Sequence, residues 1–224
     1  MRKGEEKRQE LLNAAEKLFC QQGYEKTSVQ DILGVTGLSK GGFYHHFSGK
    51  DEVLSALCSR HAERAAAYTA DALNQAANPM ERINAVLRGF VPLRREEAAF
   101  MALLLPVICT PEGRGVAMIY QDALENDFMP LLKAEMSAAA AAKLVFPQVK
   151  DMERVILHIT NHAWMEAAAA MAAASQKSQR LEPALFLTLL QKYRRAVEVL
   201  LDAPYGSIEI LRVEELEEVS RLIG

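Results

Sequence analysis

The sequence is short of the features that build crosslinked, membrane-spanning or strand-rich proteins. Its 224 residues hold three cysteines, Cys20, Cys58 and Cys109. They are odd in number and far apart, so neither a disulfide framework nor a zinc motif can be drawn from them, and they are expected to be small buried apolar residues. No stretch reaches the ~18 apolar residues of a membrane span, and the N-terminus is charged rather than signal-like. A cytoplasmic protein without a membrane partner is expected. No segment alternates as a strand would, and no His-Glu-x-x-His pattern is present.

What the sequence does have is helix. Half of it is hydrophobic and a quarter is charged, the balance of a soluble globular chain. Turn markers divide it into helical stretches: Lys7 to Gln22, Val29 to Val35, Lys40 to His46, Asp51 to Gln75, Met80 to Val91 and Arg94 to Cys109, closed by the loop Thr110 to Gly115. Val116 to Met129 follows, then Pro130, which must kink or interrupt the helix before Leu131 to Leu144. Lys150 to Ala174 and Pro183 to Leu201 are long helices, and Glu209 to Ile223 reads as a short acidic tail helix. The net charge of −3 is uneven. Residues 1–50 carry +2 and residues 51–224 carry −5, which suits an N-terminal nucleic-acid unit joined to a unit that avoids it.

The stretch from Thr27 to Lys50 is the most specific. Ser28 can cap a short helix, with Asp31 three residues on as a weaker form of capping box. Gly37 falls at a sharp turn that favours positive φ. Leu38 pins the turn, and Ser39 can cap the second helix. Gly41 and Gly42 are poor helix formers, costing roughly 1 kcal/mol each relative to alanine; close approach to a partner surface accounts for them. Phe43 and Phe47 would face inward, leaving Lys40, Tyr44 and His45 outward for phosphates and base edges. This is the pattern of a helix-turn-helix entering a DNA major groove.

These residues resemble the DNA-binding region of the TetR family of bacterial regulators. The likeness runs through Thr27, Ser28, Val29, Ile32, Gly37, Ser39, Lys40, Gly41, Phe43, Tyr44, His46, Phe47, Lys50, Asp51 and Leu54, and takes in the helix before them. The chain departs from the family at Leu33, Thr36, Leu38 and Gly49. The last removes a helix cap that Ser48 or Asp51 would have to replace. The resemblance implies an all-α protein, with a three-helix DNA-binding domain at 1–50 and a larger helical ligand-binding and dimerisation domain at 51–224. The DNA contacts expected are Thr27, Ser28, Ser39, Lys40, Gly41, Gly42, Tyr44, His45 and Lys50. The partners implied are double-stranded DNA with a palindromic operator, a second copy of the chain and a small-molecule effector. No cofactor, metal or catalytic residue is expected.

Beyond residue 51 the reading leaves alternatives open. Ala167 to Ala174 has little side-chain bulk and could let another helix approach, with Leu185, Leu189, Lys192, Tyr193, Ala196 and Leu200 opposite, or it could pack inside the monomer. Methionine and aromatic residues in the middle of the chain suit an apolar or amphipathic ligand, or they are ordinary core. Phe100, Met101, Leu104, Tyr120 and Trp164 are the ligand contacts expected, with His162 as polar anchor. His158, His162 and Glu166 share one helix face, the basis of a rival reading as an all-helical metal-dependent enzyme. A constitutive repressor without ligand is the other alternative. His61 is read as structural.

Overall fold

The computed structural model describes residues 3–92, 97–108, 114–176 and 183–212. Among them are nine helices: α1 (Lys3–Gln22), α2 (Val29–Thr36), α3 (Lys40–Tyr44), α4 (Lys50–Gln75), α5 (Pro79–Phe90), α6 (Ala98–Ile108), α7 (Arg114–Ala141), α8 (Met152–Gln176) and α9 (Pro183–Leu201). The expected all-α class holds, and no described helix is long and apolar enough to cross a membrane.

Local chemistry sets the early boundaries. Ser28 Oγ accepts from the Asp31 amide while the Asp31 carboxylate accepts from the Ser28 amide at 2.8 Å. The capping box is therefore complete, and the hydrogen bonds from Ser28 hold the Asp31 carboxyl below its ordinary range. Gly37 ends α2 at φ 67°, the left-handed region a side chain would resist. At α4 the missing cap is replaced from within: Glu52 reaches back to accept from the Ser48 amide at 2.6 Å. Asn78 caps α5 through the Glu81 amide, with Pro79 in the first turn where its missing N–H costs nothing.

The large helices stack on one continuous core. α4 lies against α5 and α7, α5 against α7, and α8 against α9, while α1 meets α2, α4 and α6. Leu54, Leu57, Cys58 and Ala62 of α4 are buried, as are Val86, Leu87 and Phe90 of α5 and Leu124, Phe128 and Leu132 of α7. Where α5 crosses α4 there is no room for a side chain: a Cβ on Gly89 would lie 1.9 Å from Thr69 Oγ1.

Three expectations need correction. Cys20 is exposed, its thiol directed at the Ala99 carbonyl 3.7 Å away, whereas Cys58 is buried as expected and Cys109 lies outside the described residues. Of the two outcomes expected at Pro130, a kink or an interruption, it is interruption that fails: α7 runs through it. Pro130 faces solvent, and the inner stripe of Leu124, Phe128, Leu132, Met136 and Ala139 keeps the two halves seated on the core. Nor does a tail helix begin at Glu209. Residues 207–212 are non-helical, and the rest of the expected helix lies outside the described residues. Ile208, Ile210 and Leu211 are buried, the Asn84 side chain bonds the Ser207 carbonyl and the Glu209 amide at 2.8 and 2.9 Å, and Arg88 pairs with Glu209. Residues 207–212 are thus a strap laid back along α5.

Candidate nucleic-acid interface

α3 is short and is held from beneath. Phe43 and Phe47 are buried and contact each other, with ring centroids 6.0 Å apart. Ser39 Oγ accepts from the Gly42 amide at 3.1 Å, fixing the first turn. The opposite side carries Lys40, Gly41, Tyr44 and His45, all exposed, with Tyr44 at 49% despite its aromatic ring. A Cβ on Gly41 would meet nothing within 4 Å, so nothing inside the chain demands that glycine. A surface brought up from outside would.

The flanks differ in kind. Ser28 is exposed at the start of α2, but Thr27 is buried, its hydroxyl donating to the Gly23 carbonyl at 2.8 Å and accepting from Gln22 at 3.2 Å. The Thr27 amide donates to the Tyr24 carbonyl at 3.2 Å, so both donors of Thr27 are taken within the chain. Lys50 is half-buried, its ammonium donating to the Tyr24 carbonyl at 2.8 Å and the Glu25 carbonyl at 3.4 Å. It also lies 4.2 Å from the centroid of the Tyr24 ring, whose hydroxyl bonds Asp51. An ammonium has three protons, so one remains for a ligand. Thr27 and Ser28 stand just ahead of α2, Ser39 to His45 make up α3 and its two ends, and Lys50 begins α4.

The middle of the chain gathers all but one of its expected residues. Phe100, Met101, Leu104, Tyr120 and Trp164 are buried, and edge-to-face contacts run from Phe100 to Tyr120 (6.0 Å) and on to Trp164 (6.3 Å). His162 is apart from them, exposed on α8 beside the Tyr193 ring of α9. A cleft of about 900 Å³ opens between the end of α1, the start of α4, α6 and α7, with Phe19, Tyr24, Leu103, Val107, Val116 and Ile119 among its walls, and none of the six expected ligand residues lines it. The metal constellation does not assemble. His158 turns to Glu125 at 3.3 Å, whereas Glu166 is taken by Lys192 at 2.9 Å and by the Tyr193 hydroxyl.

The sequence reading passed over one cluster. His61 of α4, 1% exposed, has Glu16 of α1 at 2.6 Å on one ring nitrogen and Glu97, just before α6, on the other. Arg60 pairs with Glu16 at 2.5 Å and Arg64 with Glu97 at 3.0 Å. The only signal was a titratable residue on the apolar stripe of α4. Its partners come from 45 and 36 positions away, beyond the reach of any periodicity.

With this geometry in view, residues 11–57 match the profile of the bacterial regulatory proteins of the tetR family. The HTH-type transcriptional repressor KstR2 of Mycobacterium tuberculosis is 35% identical over 77 residues, which are 34% of this chain and 38% of that one. The HTH-type transcriptional regulator YerO of Bacillus subtilis is 26% identical over 68% of this chain and 54% of its own. The matches thus span about two-fifths and about half of these relatives. Among solved structures, FadR of Bacillus subtilis in complex with stearoyl-CoA superposes with a TM-score of 0.58 at 14% identity, covering 88% of this chain and 99% of that one. The fatty acid degradation regulator FadR of Bacillus halodurans gives 0.57 at 18%, covering 87% and 94%. Likeness at that level is one of fold.

Proposed function

The chain belongs to the TetR family of bacterial regulatory proteins, and from that premise we propose that it is a DNA-binding transcriptional regulator. In this reading it is a cytoplasmic repressor that holds a palindromic operator as a homodimer. It lets go when a small apolar or amphipathic effector binds. The domain division falls at the start of α4, residues 1–50 reading DNA and 51–224 carrying the effector and the second copy. The observation that carries the reading is the outer side of α3, where a lysine, a glycine, a half-exposed tyrosine and a histidine stand on two buried phenylalanines.

The roles divide by chemistry. Lys40 and Tyr44 suit phosphate oxygens, whereas Ser28 gives both its amide and its hydroxyl proton to Asp31; Gly41, Gly42 and His45 suit base edges, because the glycines let the backbone come close. The effector belongs to residues 90–165, against Phe100, Met101, Leu104, Tyr120 and Trp164. The cleft walled by Phe19, Tyr24 and Leu103 falls within the ~300–1,000 Å³ of ordinary small-molecule sites. Leu103 faces that cleft and Leu104 the core, so Leu103→Trp and Leu104→Trp separate the two places an effector could act. The rival metal enzyme has no support from the scattered partners of His158, His162 and Glu166.

The test is to let the protein select its operator from a random pool and measure affinity. Half-sites about one helical turn (~10 bp) apart are expected for a dimer. Tyr44→Ala and Lys40→Ala should each weaken binding about tenfold, a loss of ~1.4 kcal/mol, with circular dichroism unchanged. Full operator affinity in the double variant overturns the reading.

A further inference from the structure

α1 belongs to the proposed DNA-reading unit and α6 to the proposed effector unit, and His61 stands between them with a carboxylate on each side. One ring nitrogen faces Glu16 Oε1 at 2.6 Å; the other faces Glu97 Oε2 and, at 3.2 Å, the Arg64 guanidinium. A carboxylate oxygen can accept a ring N–H, so the ring spans the two acids. The His61 ring is also stacked flat on Phe100 of α6, 3.6 Å between centroids and 7° between planes. Phe100 is the first ring of the aromatic chain that leads through Tyr120 of α7 to Trp164 of α8. One side chain therefore touches the effector region on its face and the DNA unit on its edge.

We propose that His61 is the positioning residue through which α6 sets the attitude of the DNA-reading unit: the bridge Glu16–His61–Glu97 holds α1 in the arrangement that binds DNA, and opening the bridge releases it. The inference rests on the DNA-binding function proposed above and deepens it by naming how the two units are joined. A held arrangement leaves less freedom to be lost on docking, which is how a clamp raises affinity without touching DNA. Displacement of Phe100 by an effector moves the ring against which His61 is stacked and so bears on the bridge directly.

The charges around the bridge define when it exists. Glu16 faces it from α1, Glu97 from the start of α6, and Arg60 and Arg64 from α4, while Cys58 of α4 and Tyr120 of α7 lie nearby. Burial pushes the Cys58 thiol up to about 12 and raises the Tyr120 phenol, so both are neutral. The hydrogen bond from His61 holds the Glu16 carboxyl below its ordinary range. Burial alone would raise Glu97, but His61 and Arg64 together pull it below. For carboxyls lowered in this way the interaction is fully present above their ordinary range and is lost as pH falls through the lowered values.

The experiment uses the full chain and the DNA it selects. Glu16→Gln and Glu97→Gln should each weaken binding roughly tenfold, within the usual coupling range. The double variant should be no worse than either single one, because one missing partner already opens the bridge. In the His61→Gln background neither change should matter. Additive losses, or lower melting temperatures with unchanged affinity, would show a cluster that merely supports the fold and would overturn the proposal. A wild-type chain that selects no DNA would remove the DNA-binding reading itself, an outcome distinct from binding that ignores the bridge.

Discussion

A lysine at the edge of the proposed DNA face would have two duties. Lys50 gives two protons to the Tyr24 and Glu25 carbonyls and keeps its charge close to α2 and α3. Lys40 is exposed. Removing either should lower the slope of affinity against salt by about one. Only Lys50→Met should also lower the melting temperature, because it frees the chain between α1 and α2; a Lys40→Ala protein that melts lower, or a Lys50→Met protein that does not, would reverse these duties. Single residues were legible to different degrees. Ser28, Gly37 and Ser39 could be read because a cap or turn lies within four residues of its partner. Cys20 could not, because its exposure depends on where α6 comes to rest. His61 was read as structural, but the carboxylates that surround it are remote in sequence.

At the scale of helices the period of apolar residues sufficed for existence, and less well for continuity. Pro130 was expected to kink or interrupt its helix since proline removes one helical hydrogen bond; the helix continues, with the buried stripe of α7 on either side of it offsetting that loss. The crossing of α5 over α4 left no trace in either helix taken alone. Gly89 would read only as a weak helix former, whereas its need is steric: the α5 backbone approaches Thr69 so closely that even a methyl group has no place. Gly89→Ala should therefore destabilise the protein by about 1–3 kcal/mol in chemical denaturation despite alanine's better helix propensity. The companion change Gly4→Ala, in open space on α1, should be neutral or slightly stabilising, and equal effects at the two sites would contradict the steric account.

For the molecule as a whole, the proposed second copy must find a surface. Val155 on α8 and Val199 on α9 are 41% and 59% exposed, large apolar side chains that water disfavours. Ala167 and Ala168 are buried within the chain, so they serve the packing of the monomer, while Met171 and Leu185 have side chains outside the described residues. Val199→Glu should give a monomer by light scattering and lose operator affinity with helical content retained. A dimer that persists would place the pairing surface elsewhere.

The strap along α5 bears on how the protein is made. Its hydrogen bonds join Asn84 to residues more than 120 positions later, so α5 waits for them throughout synthesis. α1 to α3 can assemble while the ribosome is still extending the chain at ~5–20 residues per second, but the larger unit cannot close until residues 208–211 have left the exit tunnel. A transcript or reading frame cut short anywhere before that point leaves an assembled DNA-reading end on a body whose last seam is open. Such a product would meet proteases before it met an operator, and full-length translation becomes a condition for accumulation in the cell.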